Sequence, residues 1–142
     1  MENIIITFIS FLCILGLLVS FYIYEKKSKK KKLICPTRNS CDRVVHSSYS
    51  KFFGISVENL GITYYIFCGI VYNFIFLFDY KIYIILPILF LISVFAFLFS
   101  LRLILIQALI IKKWCAWCIT SGIISFLIFI LSFTLLKYFV SQ

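Results

Sequence analysis

Two of the six cysteines in this chain of 142 residues, Cys115 and Cys118, are spaced Cys-x-x-Cys within Trp114-Cys115-Ala116-Trp117-Cys118. An apolar run follows directly and ends near Leu136. That run is long enough to cross a bilayer as a helix, so both thiols are expected in its first turn, at the water-lipid boundary, where backbone N–H groups lack intrahelical acceptors. The positive helix end stabilises a thiolate there, which turns an inert thiol into a nucleophile for disulfide exchange. At this spacing the second sulfur can resolve a mixed disulfide formed by the first. Cys118 would lie one turn deeper than Cys115, so it is expected to be less accessible to water-soluble thiols and closer to a lipid-dissolved acceptor. Two other readings of the motif are half of a zinc site and a packed cysteine pair with no chemistry.

A second pair lies in Cys35-Pro36-Thr37-Arg38-Asn39-Ser40-Cys41, where Pro36, Asn39 and Ser40 favour tight turns. Bridging two cysteines at this spacing carries little loop-closure entropy. Cys13 and Cys68 sit deep inside apolar runs and read as small core residues. His46 is the only histidine, with no second histidine or carboxylate spaced for a metal, and reads as solvated.

Membrane elements must position these thiols. The chain is 63% hydrophobic and 20% aromatic, with a mean hydropathy of +1.11, against about 45–50% apolar residues in soluble domains. This is an integral membrane composition. Residues 4–24 form a charge-free run that just crosses a hydrocarbon core of about 30 Å. No small-residue cleavage pattern follows it, so the run is expected to stay as a helix. Residues 60–78, 82–111 and 115–137 supply three more helices. The third run would reach about 45 Å if straight, so it must tilt or protrude. Pro87 is tolerable near its start, while Arg102 and Gln107, near its end, must snorkel, pair or face a polar cavity.

The expected fold is an all-α membrane protein of one domain, residues 1–142: a four-helix bundle with a redox loop over about residues 25–59. Val44, Val45, Ser48, Tyr49 and Phe52 give an amphipathic pattern in that loop, read as a short interfacial helix that ends at Gly54 and acts as a lid.

An even number of crossings separates the loop after the first helix from the junction before the fourth. Cys35/Cys41 and Cys115/Cys118 therefore share one face of the membrane. Two dithiols over a bundle form an exchange relay, in which one pair meets an outside thiol and the other passes electrons to something dissolved in the bilayer. A lipid-soluble two-electron acceptor is needed, and a quinone fits.

The ordered set Cys35-x5-Cys41-Asp42-Arg43-Val44, Ser47-Ser48-Tyr49, Phe53-Gly54-Ile55, Leu60-Gly61 with Tyr64-Tyr65, Ser100-Leu101 with Gln107, and Cys115-Ala116-Trp117-Cys118-Ile119-Thr120 resembles the vitamin K epoxide reductase family. The likeness extends to its prokaryotic thiol-oxidising members. It implies a four-helix bundle around a quinone, capped by the loop that carries the first cysteine pair. It further implies that Cys118 is the sulfur beside the quinone, that Cys115 exchanges with Cys41, and that Cys35 completes the pair that oxidises a partner dithiol. Ser47 matches a loop serine that hydrogen-bonds beside the redox centre, or is a satisfied interfacial hydroxyl. Vertebrate members carry a tyrosine four residues after the second cysteine, where Gly122 stands here, so vitamin K epoxide itself is not the expected substrate. Many prokaryotic members carry a fused thioredoxin-like domain; this chain stops at Gln142, so a separate thioredoxin-like partner is expected.

The formal charge of +9 is local rather than general. Nine basic residues (Lys26, Lys27, Lys29, Lys30, Lys31, Lys32, Arg38, Arg43, Lys51) plus Lys112 and Lys113 lie on the redox face, and only Lys81 and Lys137 lie opposite. They are expected to meet lipid headgroups rather than nucleic acid. Short-loop charge of this kind belongs in the cytoplasm, whereas the resemblance suggests an extracytoplasmic redox face, where disulfides are made. The extracytoplasmic side is the expectation taken forward, with an inverted member open beside it. Two further classes compete: a membrane-surface protein in which the four cysteines hold zinc without redox turnover, and the other bacterial family of quinone-coupled thiol oxidases. In that family the Cys-x-x-Cys belongs to the first loop rather than opening the last helix.

Overall fold

The computed structural model describes residues 1–31, 46, 48, 51–78, 82–112 and 114–141. Four helices are each long and apolar enough to cross a membrane. They are α1 (Glu2–Ser28), α2 (Val57–Phe78), α3 (Ile82–Ile106) and α4 (Ala116–Val140). A π-helical turn, Gln107–Ile111, continues α3 and ends at Lys112 in the left-handed region (φ 56°). Such turns add a residue to a helix and recur where a side chain must be re-aimed. Here the turn closes the long third run, with Ile111 packed against Cys115.

In lipid the helices cannot rely on a hydrophobic force between them, and their seams use small and weakly polar residues instead. Ser20 of α1 and Gly122, Ser125 and Ser132 of α4 are buried, while Phe8, Phe11, Leu18, Ile70, Leu91, Phe95 and Phe133 face outward. Gly16 lets the ring of Tyr65 lie directly on the α1 backbone, and a β-carbon there would collide with it. From that seat the Tyr65 hydroxyl reaches α4, with the Ser121 carbonyl oxygen at 3.1 Å, Ser121 Oγ at 3.0 Å and Ser125 Oγ at 3.1 Å. Two turns along, Tyr72 repeats the device with Ser132 at 2.7 Å. The inward residues of α2, Tyr65, Cys68, Tyr72 and Ile75, recur at the spacing of three and four that makes one helix face. Stacked rings knit α3 to α4: Phe90 on Phe129 at 5.7 Å and Phe97 on Phe129 at 5.2 Å. Helix α1 packs along α2 and α4, and α3 along α4, whereas α2 and α3 touch at few places. A gap is left between those two helices.

One expectation is corrected here. The loop segment leading to Gly54 does not end as a helix: Lys51–Phe52 and Ile55–Ser56 pair as a two-stranded antiparallel hairpin, with Lys51 opposite Ser56 and Phe52 opposite Ile55. Its two turn residues, Phe53 (φ 50°) and Gly54 (φ 79°), both lie in the left-handed region, as a tight two-residue turn between twisted strands requires. Residues 42–45, 47, 49 and 50 of the expected helix lie outside the described residues.

Candidate functional site

The four helix ends on the redox side converge. Lys27, in the last turn of α1, forms an ion pair with Glu58 in the first turn of α2, at 3.3 Å. Tyr22 of α1 packs on Trp117, with ring centroids 4.8 Å apart. The crossing count thus corresponds to direct contacts between these ends.

Cys115 is the residue that caps α4 rather than part of its first turn. Its backbone is extended (φ −100°, ψ 111°), and its Sγ accepts a hydrogen bond from the Cys118 N–H at 3.4 Å. The Cys115 N–H donates to Gln107 Oε1 at 3.2 Å, and Gln107 is itself buried. Gln107 therefore resolves its cost as a polar group at the membrane edge by pinning the redox motif. Arg102 takes another course: it is exposed, with its guanidinium 6.0 Å from the centroid of the Phe52 ring, a geometry suited to a cation over an aromatic face.

The two thiols differ in exposure. Cys115 has no exposed surface, being enclosed with Ile23 among Val19, Tyr22, Ile111 and Trp117, whereas Cys118 is only partly buried. The physical reason is the gap between α2 and α3. It opens into a cavity of about 420 Å³, and Cys118 lies in its wall while Cys115 does not. Cys118, Gly122 and Ser125 follow one another along the α4 wall at the spacing of one helix face. Leu103, Ile104, Phe95 and Phe99 of α3 and Leu60, Tyr64 and Phe67 of α2 make the rest mostly apolar, and Phe52 of the hairpin closes one end, edge-on to Phe99 at 5.2 Å. The volume and lining suit a ring-sized apolar ligand. A few polar groups face it, including Ser100, Gln107 and Glu58. Tyr64 lines the same wall with part of its side chain and packs against the core that holds Cys13 and Cys68.

Of the sequence-derived site residues, Cys115 and Cys118 are brought together at the head of α4, while Cys35, Cys41 and Ser47 lie outside the described residues. Cys13 and Cys68 are both buried in the core among α1 and α2 residues. Sequence reasoning did not single out Glu58, Ser121 or Ser125 for the site, and took Phe52 only as part of the amphipathic pattern of its loop. For α4 a signal was present, since Cys118, Gly122 and Ser125 interrupt an otherwise bulky helix on one face. No comparable pattern marks Phe52 among the 17 phenylalanines.

A bundle of four membrane-spanning helices, with a dithiol at one helix head and an apolar cavity running from one of its sulfurs into the membrane, defines a multi-pass membrane thiol oxidoreductase. The family model described as "Vitamin K epoxide reductase family" matches residues 7–133, and the chain belongs to that family. Members of the family use quinones. No curated protein matches the chain.

Proposed function

We propose that the chain is a thiol:quinone oxidoreductase. It takes two electrons from the dithiol of a separate thioredoxin-like protein and passes them through Cys35/Cys41 and then Cys115/Cys118. They end on a membrane quinone, and the cycle supports protein disulfide formation. The observation that carries this reading is the position of Cys118 in the wall of the intramembrane cavity, with Cys115 behind it at the bundle head. One sulfur faces the lipid-borne substrate and the other faces away from it, as a relay between two media requires.

The quinone supplies a two-electron, two-proton acceptor. The chain's own residues do the rest. The Cys118 N–H donates to Cys115 Sγ and favours negative charge on that sulfur. Gln107 holds the Cys115 backbone so that the two cysteines stay one helical turn apart. The apolar walls exclude water from the reacting sulfur. The sparse contact between α2 and α3 gives a lateral entrance, flanked by the exposed rings of Phe67 and Phe95.

The relay order has a direct test. If Cys41 attacks Cys115, the Cys35→Ala variant accumulates a Cys41–Cys115 disulfide that mass spectrometry detects in the purified protein. Accumulation of a Cys35–Cys115 disulfide in Cys41→Ala, with none in Cys35→Ala, reverses the roles of the loop cysteines. On sidedness, an extracytoplasmic redox face makes Cys35 reactive to a membrane-impermeant maleimide in intact cells. Labelling only after lysis puts that face in the cytoplasm, where the basic residues of the loop alone would have put it.

A further inference from the structure

We propose that Glu58 is the proton carrier of the redox cavity: it takes up the proton released at Cys118 and hands it to an oxygen of the acceptor, with Lys27 holding the carboxylate in position. The inference rests on the thiol:quinone reading above and concerns the protons that reading leaves unassigned.

In one turnover the two S–H bonds of Cys115 and Cys118 are lost and one S–S bond forms. Two electrons and two protons reach the quinone, whose two carbonyl oxygens become hydroxyls. The electrons can cross at the contact between Cys118 and the acceptor. The protons need a group that binds and releases them within an apolar enclosure, and few wall residues can do so. Among the described residues, Lys27 from α1 pairs with Glu58, and the other titratable residues lining the cavity are Cys118 from α4 and Tyr64 and Tyr65 from α2 itself, the Tyr65 hydroxyl being bonded to Ser121 and Ser125. Helix α3 contributes the neutral Gln107 and Ser100 to the wall, its Arg102 lying over Phe52, and the hairpin contributes Phe52. Glu58 is the one carboxylate of the wall among those residues.

Its burial is the telling feature. Glu58 is 7% exposed, and both carboxylate oxygens lie within 3.3–3.4 Å of Lys27 Nζ. A carboxylate in the first turn of a helix is favoured by the helix dipole, but an exposed side chain would serve that purpose equally well. Burying an ion pair is weak evidence of stabilisation, since apolar residues of like volume often do as well or better. A buried ionisable group in the wall of a ligand-sized cavity is a candidate for function rather than packing. Glu58 and Cys118 line the same cavity. Lys27 is about a fifth exposed, so the pair also joins the cavity to the polar face, where a proton can be exchanged with water.

The test uses the full chain in proteoliposomes, with dithiothreitol as electron donor and a short-chain benzoquinone as acceptor. Glu58→Gln should lower kcat roughly 100-fold, the scale of a lost general acid-base group. KM for the quinone should change little, and the dependence of kcat on pH that reports the carboxyl should vanish. Glu58→Asp should restore part of the rate. The double variant Lys27→Met, Glu58→Gln removes both members of the ion pair together, so it separates a folding defect from lost proton transfer, and it should remain slow. Wild-type turnover and pH profile in Glu58→Gln, or in the double variant, overturns the proton role and leaves the quinone reading standing. A wild-type protein that does not reduce the quinone overturns that reading, and the proton role falls with it.

Discussion

Cys118→Ala should bring quinone reduction to the uncatalysed level, because it removes the sulfur in the cavity wall. Cys115→Ala should also stop turnover, but with a different signature. The remaining Cys118 thiolate would then stand against the quinone with no second sulfur to close a disulfide, and adding quinone should produce a persistent visible charge-transfer absorption. Cys118→Ala should give no such band with Cys115 intact. The distinction follows from the geometry at the head of α4, where Cys118 borders the cavity and Cys115, fully buried, lies outside its lining. A band that survives Cys118→Ala and disappears with Cys115→Ala would assign the quinone to the other sulfur.

Gly122→Phe should block the substrate without touching the thiols. Gly122 lies in the wall one turn beyond Cys118, and a β-carbon added there would already stand 2.9 Å from Ile104 Cδ1. An aromatic side chain must therefore project into the cavity or displace Ile104. A binding loss of about 1–3 kcal/mol from a ring intruding on the acceptor's space corresponds to roughly 5- to 150-fold in apparent quinone affinity. The expected result is a raised KM for the short-chain benzoquinone, with unchanged maleimide labelling of Cys118 in the denatured protein and unchanged recovery from the membrane. Wild-type KM in this variant would put the acceptor elsewhere than the gap between α2 and α3.

The sequence made the bundle legible because membrane helices announce themselves by length and apolarity, without any tertiary information. Boundaries shifted where polar residues extend a helix beyond the hydrocarbon: α1 continues through Glu25, Lys26 and Lys27 to Ser28, and α2 begins at Val57. The Cys-x-x-Cys motif was legible by spacing, and the crossing count assigned it to the same face as the loop. Its environment was not. Depth along the helix says nothing about which sulfur borders a cavity, and it is the cavity that exposes Cys118 while Cys115 stays enclosed. That cavity comes from a packing choice, the loose fit of α2 to α3, which no single-helix pattern encodes. The helix expected at Gly54 was a periodicity inferred across a segment too short to decide between helix and strand. At its Gly54 end two left-handed turn residues make residues 51–56 a hairpin, and one of them, Phe53, carries no sequence signal for that conformation.

The most direct test of the central claim is the quinol formed per dithiol consumed, measured anaerobically with the purified chain, a reduced thioredoxin-like protein and a short-chain benzoquinone. The account predicts one quinol for each dithiol oxidised, dependent on all of Cys35, Cys41, Cys115 and Cys118. No quinol above the uncatalysed rate, together with one zinc ion bound per chain and lost on replacing any of those four cysteines, would contradict it.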